Sequence, residues 1–138
     1  MINNRVNINH QLKSFNKVLR IEGDKSLSIR WALLASQATG KSTSHNLLRS
    51  EDIKSTLNCL KKLGVRYRLL KNKCEIFGVG LNGFHFKKKI VLDAGNSGTL
   101  ARLILGLLIK STNTIKITGD KSLSKRDFLR VTEPLQKF

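Results

Sequence analysis

Apolar positions along this chain change period several times, and each change marks an element. Ile53, Leu57, Leu60 and Leu63 follow one another at spacings of four, three and three, which is one buried stripe of a helix. Ser50 stands where an N-cap belongs, and Glu51 and Asp52 suit the positive end of the helix dipole. Lys61 and Lys62 suit its negative end, and Gly64 closes it. Residues 99–109 predict a second helix, with Leu100, Leu103, Ile104, Leu107 and Leu108 on its apolar side. Residues 27–38, rich in alanine and leucine, predict a third that ends at Gly40. Residues 17–21, 41–47, 90–92 and 114–118 read as strands. Residues 65–70 and 73–77 read as a hairpin around Lys71-Asn72. Residues 130–137 predict a last helix, and residues 1–15 are polar without a clear period. The order strand, helix, strand, helix, strand, strand, strand, helix, strand predicts an α/β fold with helices covering the sheet faces.

Composition narrows the class. A chain of 138 residues with 40% hydrophobic residues has room for one domain with an ordinary core, so disorder is not the expectation. Lys and Arg number 26 against 9 Asp and Glu, a net charge of +17. Such a charge attracts polyanions, nucleic acid first among them. Small anionic substrates want cations equally, and Lys87-Lys88-Lys89 reads as well as a solvated loop. Cys59 and Cys74 match no metal or redox spacing and suit a reducing compartment. The first residues lack an apolar signal core, and the longest apolar stretch, 103–109, is far too short to span a bilayer. The cytoplasm is the expected location, with no membrane partner.

The chemistry lies in a phrase that occurs almost twice. Gly23-Asp24-Lys25-Ser26-Leu27-Ser28-Ile29-Arg30 returns 96 residues later as Gly119-Asp120-Lys121-Ser122-Leu123-Ser124-Lys125-Arg126, with seven of eight positions matching. Each copy offers a glycine turn, cations and hydroxyls, a set that suits phosphate or carboxylate. If a helix starts near Ser26, then Lys25, Ser26 and Arg30 converge on one anion, because Ser26 and Arg30 are four apart on one face. Between the copies, Asp93-Ala94-Gly95-Asn96-Ser97-Gly98-Thr99 follows a strand and opens a helix. The free N–H groups and dipole of that helix favour an anionic guest, and Gly95 and Gly98 let it approach. Gly40-Lys41-Ser42-Thr43 mimics the end of a nucleotide-binding loop, but Ala35 stands where that motif needs glycine, and a helix precedes it. His10, His45 and His85 are scattered, and no paired carboxylates or Ser-His-Asp set can be argued from spacing. The chain supplies anion binding without an evident proton-transfer group.

These residues resemble a known family. Glu22 to Arg30 looks like the PGDKS-[IL]-S-[HN]-R segment of the 5-enolpyruvylshikimate-3-phosphate synthases. Leu48-Arg49-Ser50-Glu51-Asp52 resembles the family's L-x-S-x-D segment, and Asp93 to Thr99 with Arg102 resembles its GN-[SA]-GT-x-x-R segment. Gly119 to Arg126 resembles GD-x-SL-x-KRP, and Val131, Glu133, Pro134 and Leu135 match the family's next positions. All stand in the family's order, from about residue 17 onward. The resemblance implies transfer of the enolpyruvyl group from phosphoenolpyruvate to the 5-hydroxyl of shikimate 3-phosphate, releasing phosphate, in aromatic amino-acid biosynthesis. It implies no metal and no organic cofactor. Lys25 would contact both substrates at the reacting centre, as the catalytic residue. Ser26 and Arg30 would hold the shikimate 3-phosphate carboxylate. Asn96 and Gly98 would border phosphoenolpyruvate, and Arg126 would grip it. Glycine at 98 also implies sensitivity to glyphosate.

Three positions depart from the pattern: Glu22 and Asp127 replace prolines, and Ile29 replaces His or Asn. Asp127 is placed to draw Arg126 away from substrate. Family members have two domains, each of three βαβαββ units, whereas 16–138 matches one such unit plus the start of the next, an incomplete form of this inside-out α/β barrel. Little turnover is expected without the missing C-terminal part. The rival readings are a small basic nucleic-acid-binding protein and a non-catalytic remnant. Nucleic acid is not the partner the motifs favour.

Overall fold

A computed structural model describes Asn16, Val18 and residues 21–138. The polar segment 1–15 and most of the strand predicted over 17–21 lie outside the described residues, and Ile21 itself is not in a strand. The first helix, α1, spans Lys25–Gln37. It starts two residues before the pattern suggests, because Oδ1 of Asp24 accepts the Leu27 N–H at 2.7 Å and caps it there. Its buried side carries Ile29, Ala32, Leu33 and Ala35. Strand β1, Thr39–His45, follows with only Ala38 between, so Gly40 is a strand residue rather than a helix stop.

Helix α2, Glu51–Lys62, follows the pattern closely. Ile53, Leu57, Leu60 and Leu63 are each no more than 1% exposed. Burying such a side chain contributes about 1.5–3 kcal/mol, and four in one stripe fix how α2 lies against the core. Ser50 is the N-cap, but its side chain makes no capping bond; its carbonyl oxygen accepts from Ile53 and Lys54 instead. Gly64 takes φ +90°, which a side chain would strain, and the chain turns there into β2, Arg66–Leu69.

β2 and β1 both pair antiparallel with β3, Lys73–Val79, giving the order β1-β3-β2. β3 runs two residues past the predicted hairpin, because Thr39 and Gly40 extend the ladder opposite Val79 and Gly78. Cys74 and Ile76, fully buried, mark the sheet face turned to the core.

A second sheet holds two parallel strands, β4 (Lys89–Asp93) and β5 (Thr114–Thr118). Parallel neighbours need a crossover, and α3, Gly98–Leu108, supplies it. Leu100, Ala101, Ile104 and Leu108 form its buried stripe. Leu103, expected on that side, is 39% exposed. At about 100° per residue it falls roughly a third of a turn from the stripe's centre. A single 3-10 turn, Leu123–Lys125, and a short helix, α4 (Leu129–Leu135), complete the described chain. Core residues of α1, α2 and α3 meet Leu92 of β4 and Leu123 in one cluster. Among the described residues no helix is long and apolar enough to cross a membrane.

Candidate functional site

Because β4 and β5 are parallel and adjacent, the loops after them leave the sheet at the same end. That end is where open α/β sheets bind ligands. The backbone ties the loops together: the Ala94 N–H donates to the Thr118 carbonyl at 2.8 Å and the Asp120 N–H to that of Gly95 at 2.9 Å. Two motifs far apart in sequence become neighbours here. Ser97 caps α3, its hydroxyl accepting from the Leu100 N–H at 3.3 Å. Gly98 is therefore the first helical residue, with the positive end of the dipole beside it.

Cations gather at that point. A Cβ added to Gly98 would stand 2.8 Å from Nη1 of Arg102 and 2.8 Å from Nη1 of Arg126. Two guanidinium groups from separate elements thus flank a buried glycine at a helix start. Arg126 donates through Nη2 to Oδ1 of Asn96 at 2.7 Å. The Asn96 amide donates onward to Oδ2 of Asp120 at 2.5 Å. This bond, with a further one from the Leu123 N–H, holds the Asp120 carboxyl below the usual aspartate value of 3.8. The Asn96 orientation is thereby set, with its oxygen toward Arg126. Arg102 lies over the Phe128 ring at 5.0 Å and donates through Nη2 to the Asp127 carbonyl at 2.9 Å. Its Nε is buried and has no partner among the described residues. An anion between the two arginines would meet guanidinium groups already held in place.

The repeated phrase proves to be a repeated turn. Oδ1 of Asp24 accepts from Leu27 and Oδ1 of Asp120 from Leu123, both at 2.7 Å. The N–H groups of Ser28 and Ser124 donate to the carbonyls of Asp24 and Asp120, at 3.0 and 2.9 Å. The shared residues thus wind the same first turn. The first copy continues into α1, where Ile29 and Ala32 join the core. The second stops after one turn.

In the first copy Lys25 lies in the first turn of α1, and its Nζ is 3.3 Å from Oδ2 of Asp52 on α2. Ser26 is half-buried and Arg30 exposed, one turn apart on the same helix face. Among the described residues no side-chain hydrogen bond joins Lys25, Ser26 and Arg30; Lys25 pairs with Asp52, and the Asp24 carboxylate caps the helix N-terminus. α2 links the two halves: Lys25 reaches Asp52, while Gly95 sits against Ser55 one turn along, its Cβ position 2.9 Å from that hydroxyl. Among the described residues no hydrogen bond or ion pair joins Lys25, Ser26 or Arg30 to Arg126.

Asp127 does not draw Arg126 away: its Oδ1 accepts the Leu129 N–H at 2.7 Å and opens α4, leaving Arg126 to Asn96. Ile29 is fully buried, so its position serves the core rather than the cations. Gly40-Lys41-Ser42-Thr43 lies within β1, an extended run that cannot cradle a phosphate. Sequence reasoning misses Asp120, which orients Asn96, and Ser122, whose hydroxyl accepts from Nη2 of Arg126 at 3.5 Å. A signal exists for Asp120, which holds the same place in its phrase as Asp24 does. Arg102 enters the sequence reading only within a motif, though it lies four residues from Gly98 on α3.

The helices laid over a three-stranded and a two-stranded sheet, with the loops after β4 and β5 at one end of their strands, define an incomplete α/β fold of the enolpyruvyl transferase type. A family model of EPSP synthase (3-phosphoshikimate 1-carboxyvinyltransferase) matches residues 10–138, so the chain belongs to that family. A 3-phosphoshikimate 1-carboxyvinyltransferase of Bacillus cytotoxicus is 42% identical over 125 residues, 91% of this chain and 29% of the relative's length. One from Streptococcus mutans is 44% identical over 119 residues, 86% of this chain and 28% of its own. The solved EPSP synthase of Acinetobacter baumannii superposes with a TM-score of 0.80 at 35% identity, over 86% of this chain and 27% of that one. The chain thus spans less than a third of the relatives it matches.

Proposed function

We propose that this chain forms part of the substrate site for enolpyruvyl transfer from phosphoenolpyruvate to the 5-hydroxyl of shikimate 3-phosphate, with release of phosphate. The observation that carries the reading is the pair Arg102 and Arg126 beside Gly98, at the start of α3. Phosphoenolpyruvate brings a carboxylate and a phosphate, both suited to guanidinium forks and to free helix N–H groups. In this reading Asn96 and Gly98 border phosphoenolpyruvate and Arg126 grips it. Ser26 and Arg30 hold the shikimate 3-phosphate carboxylate. Lys25, between Asp52 and the substrates, contacts both at the reacting centre and is the catalytic residue. These groups act by positioning and by electrostatics set before the substrates arrive. No metal or organic cofactor enters the reading.

Glyphosate, a small phosphonate with a carboxylate, suits the same subsite as an inhibitor, because Gly98 lets Arg102 and Arg126 stand close to the helix start. Residues 16–138 make one βαβαββ unit plus the start of the next. The proton-transfer groups and the remaining phosphate ligands belong to the part of a family member that this chain does not span, and turnover requires that part. The cytoplasm, which keeps both thiols reduced, suits the protein.

Titration of the chain with phosphoenolpyruvate, followed by amide NMR shifts, tests the reading. Saturable shifts at Gly95 to Thr99 that vanish in Arg126→Ala are expected, and a folded chain with no shifts there would refute it. Fusing the chain to the remaining two thirds of the Bacillus cytotoxicus relative should restore phosphate release, and Lys25→Ala should abolish it. A folded but inactive fusion would count against these roles.

A further inference from the structure

The β1-β3-β2 sheet turns one face to the helices and the other outward. Directly paired residues share a face. Lys41 and Arg66 both pair with Phe77, Arg68 and Thr43 with Glu75, and His45 with Lys73. Cys74 and Ile76, on alternate positions, point the other way and are fully buried. The outer face therefore collects Lys41, Arg66, Arg68 and Lys73 against a single carboxylate.

That carboxylate offers little negative surface. Glu75 is 5% exposed, with its Oε1 2.9 Å from Nζ of Lys73 and 3.7 Å from Nζ of Lys41. The hydrogen bond from Lys73 holds its carboxyl below the usual range, so it stays ionised beneath the lysines. Arg66 and Arg68, both on β2, approach the Phe77 ring, their guanidinium carbons each 5.6 Å from its centre. Beside them a cleft of about 540 Å³ is lined by Lys61, Arg66, Tyr67, Arg68 and Phe77. Arg66 and Arg68 are exposed, and neither side chain makes an ion pair or hydrogen bond among the described residues.

We infer that this outer sheet face binds single-stranded polynucleotide through its phosphates, with Phe77 as the ring on which a base can stack. Lys41 and Lys73 converge only on Glu75, which already occupies them, while Arg66 and Arg68 stand in a row. Along β2 they repeat every second residue, about 6.6 Å, and they continue across strands about 4.8 Å apart. An extended row suits an extended chain of phosphates, and an aromatic among cations suits single strands. A membrane surface would call for an apolar face to insert, but the exposed Leu69 of β2 pairs with Cys74 and so belongs to the opposite face, and the exposed Leu27 and Leu34 lie on α1. The face is separate from the Gly98 site, so neither reading depends on the other.

Fluorescence anisotropy of a labelled oligodeoxythymidylate, titrated with the chain from about 50 to 200 mM salt, tests the inference. Log affinity should fall linearly with log salt. The double variant Arg66→Ala/Arg68→Ala should lower that slope by about 1.4, at roughly 0.7 for each phosphate no longer neutralised. Arg66→Lys/Arg68→Lys should keep most of the slope. Lys87→Ala/Lys88→Ala removes two exposed cations from a different loop and should cost much less. Equal losses from the two alanine pairs would mean diffuse attraction by net charge and would overturn the inference. So would the absence of binding at the lowest salt, or binding to anionic vesicles but not to the oligonucleotide. Phosphoenolpyruvate shifts should be the same in wild type and Arg66→Ala/Arg68→Ala.

Discussion

Gly98 and Arg126 stand so close that a methyl group on the glycine would lie 2.8 Å from the arginine's Nη1. The obstructing atoms are ends of flexible side chains, so Gly98→Ala should fold with nearly unchanged stability. Its cost falls on the guest, since Arg102 and Arg126 must draw apart. On the proposed function, phosphoenolpyruvate and glyphosate binding should weaken about tenfold, or 1.4 kcal/mol. Titration calorimetry beside urea unfolding separates the two effects.

Arg126 holds Asn96 with one nitrogen while keeping another for a guest. Lysine offers one compact charge without that fork. Arg126→Lys should therefore lose most of the phosphoenolpyruvate response that Arg126→Ala loses. Equal binding by Arg126→Lys and wild type would show that a point charge suffices.

Asp120 gives the loop pair a pH dependence of known sign. Its folded value is depressed, first by the Asn96 bond and then by the Leu123 N–H. The contribution is present above the unfolded value and is lost as pH falls through the folded one. The Asn96 side-chain amide signals should hold steady at neutral pH and move only below the ordinary value of 3.8. In Asp120→Asn that acid transition should disappear.

Burial, opposed by the nearby Lys62 for one thiol and Arg49 for the other, raises both Cys59 and Cys74 to about 11. Thiolate is therefore scarce at neutral pH, and both sulfurs are shielded. A thiol reagent should label neither in the folded chain and both in denaturant. Fast labelling of either without denaturant would contradict the packing.

Leu60 is fully buried in the α2 stripe, and truncation leaves a cavity. Leu60→Ala should cost about 2–5 kcal/mol, read as a shift in the urea midpoint. Leu103→Ala, at an exposed position of α3, should cost far less.

Elements with local signals were legible from the residues alone. The stripe Ile53, Leu57, Leu60 and Leu63 needed only helical periodicity, and it holds in the fold. The twofold phrase returns as a twofold local structure, because Asp24 and Asp120 each cap the turn that follows. Relations between elements were decided by the tertiary structure. Leu103 and Ile104 belong to one apolar run, and only packing against the rest of the core chose between them; Ile104 is buried and Leu103 is not. β1 begins at Thr39 because β3 offers a partner there. Asp127 could face Arg126 by sequence, but the free N–H of Leu129 takes its carboxylate. Above all, Asn96 and Arg126 are 30 residues apart and meet at 2.7 Å. The parallel pairing of β4 with β5 sends their two loops out of one end of the sheet, and that pairing is a long-range choice no local spacing encodes.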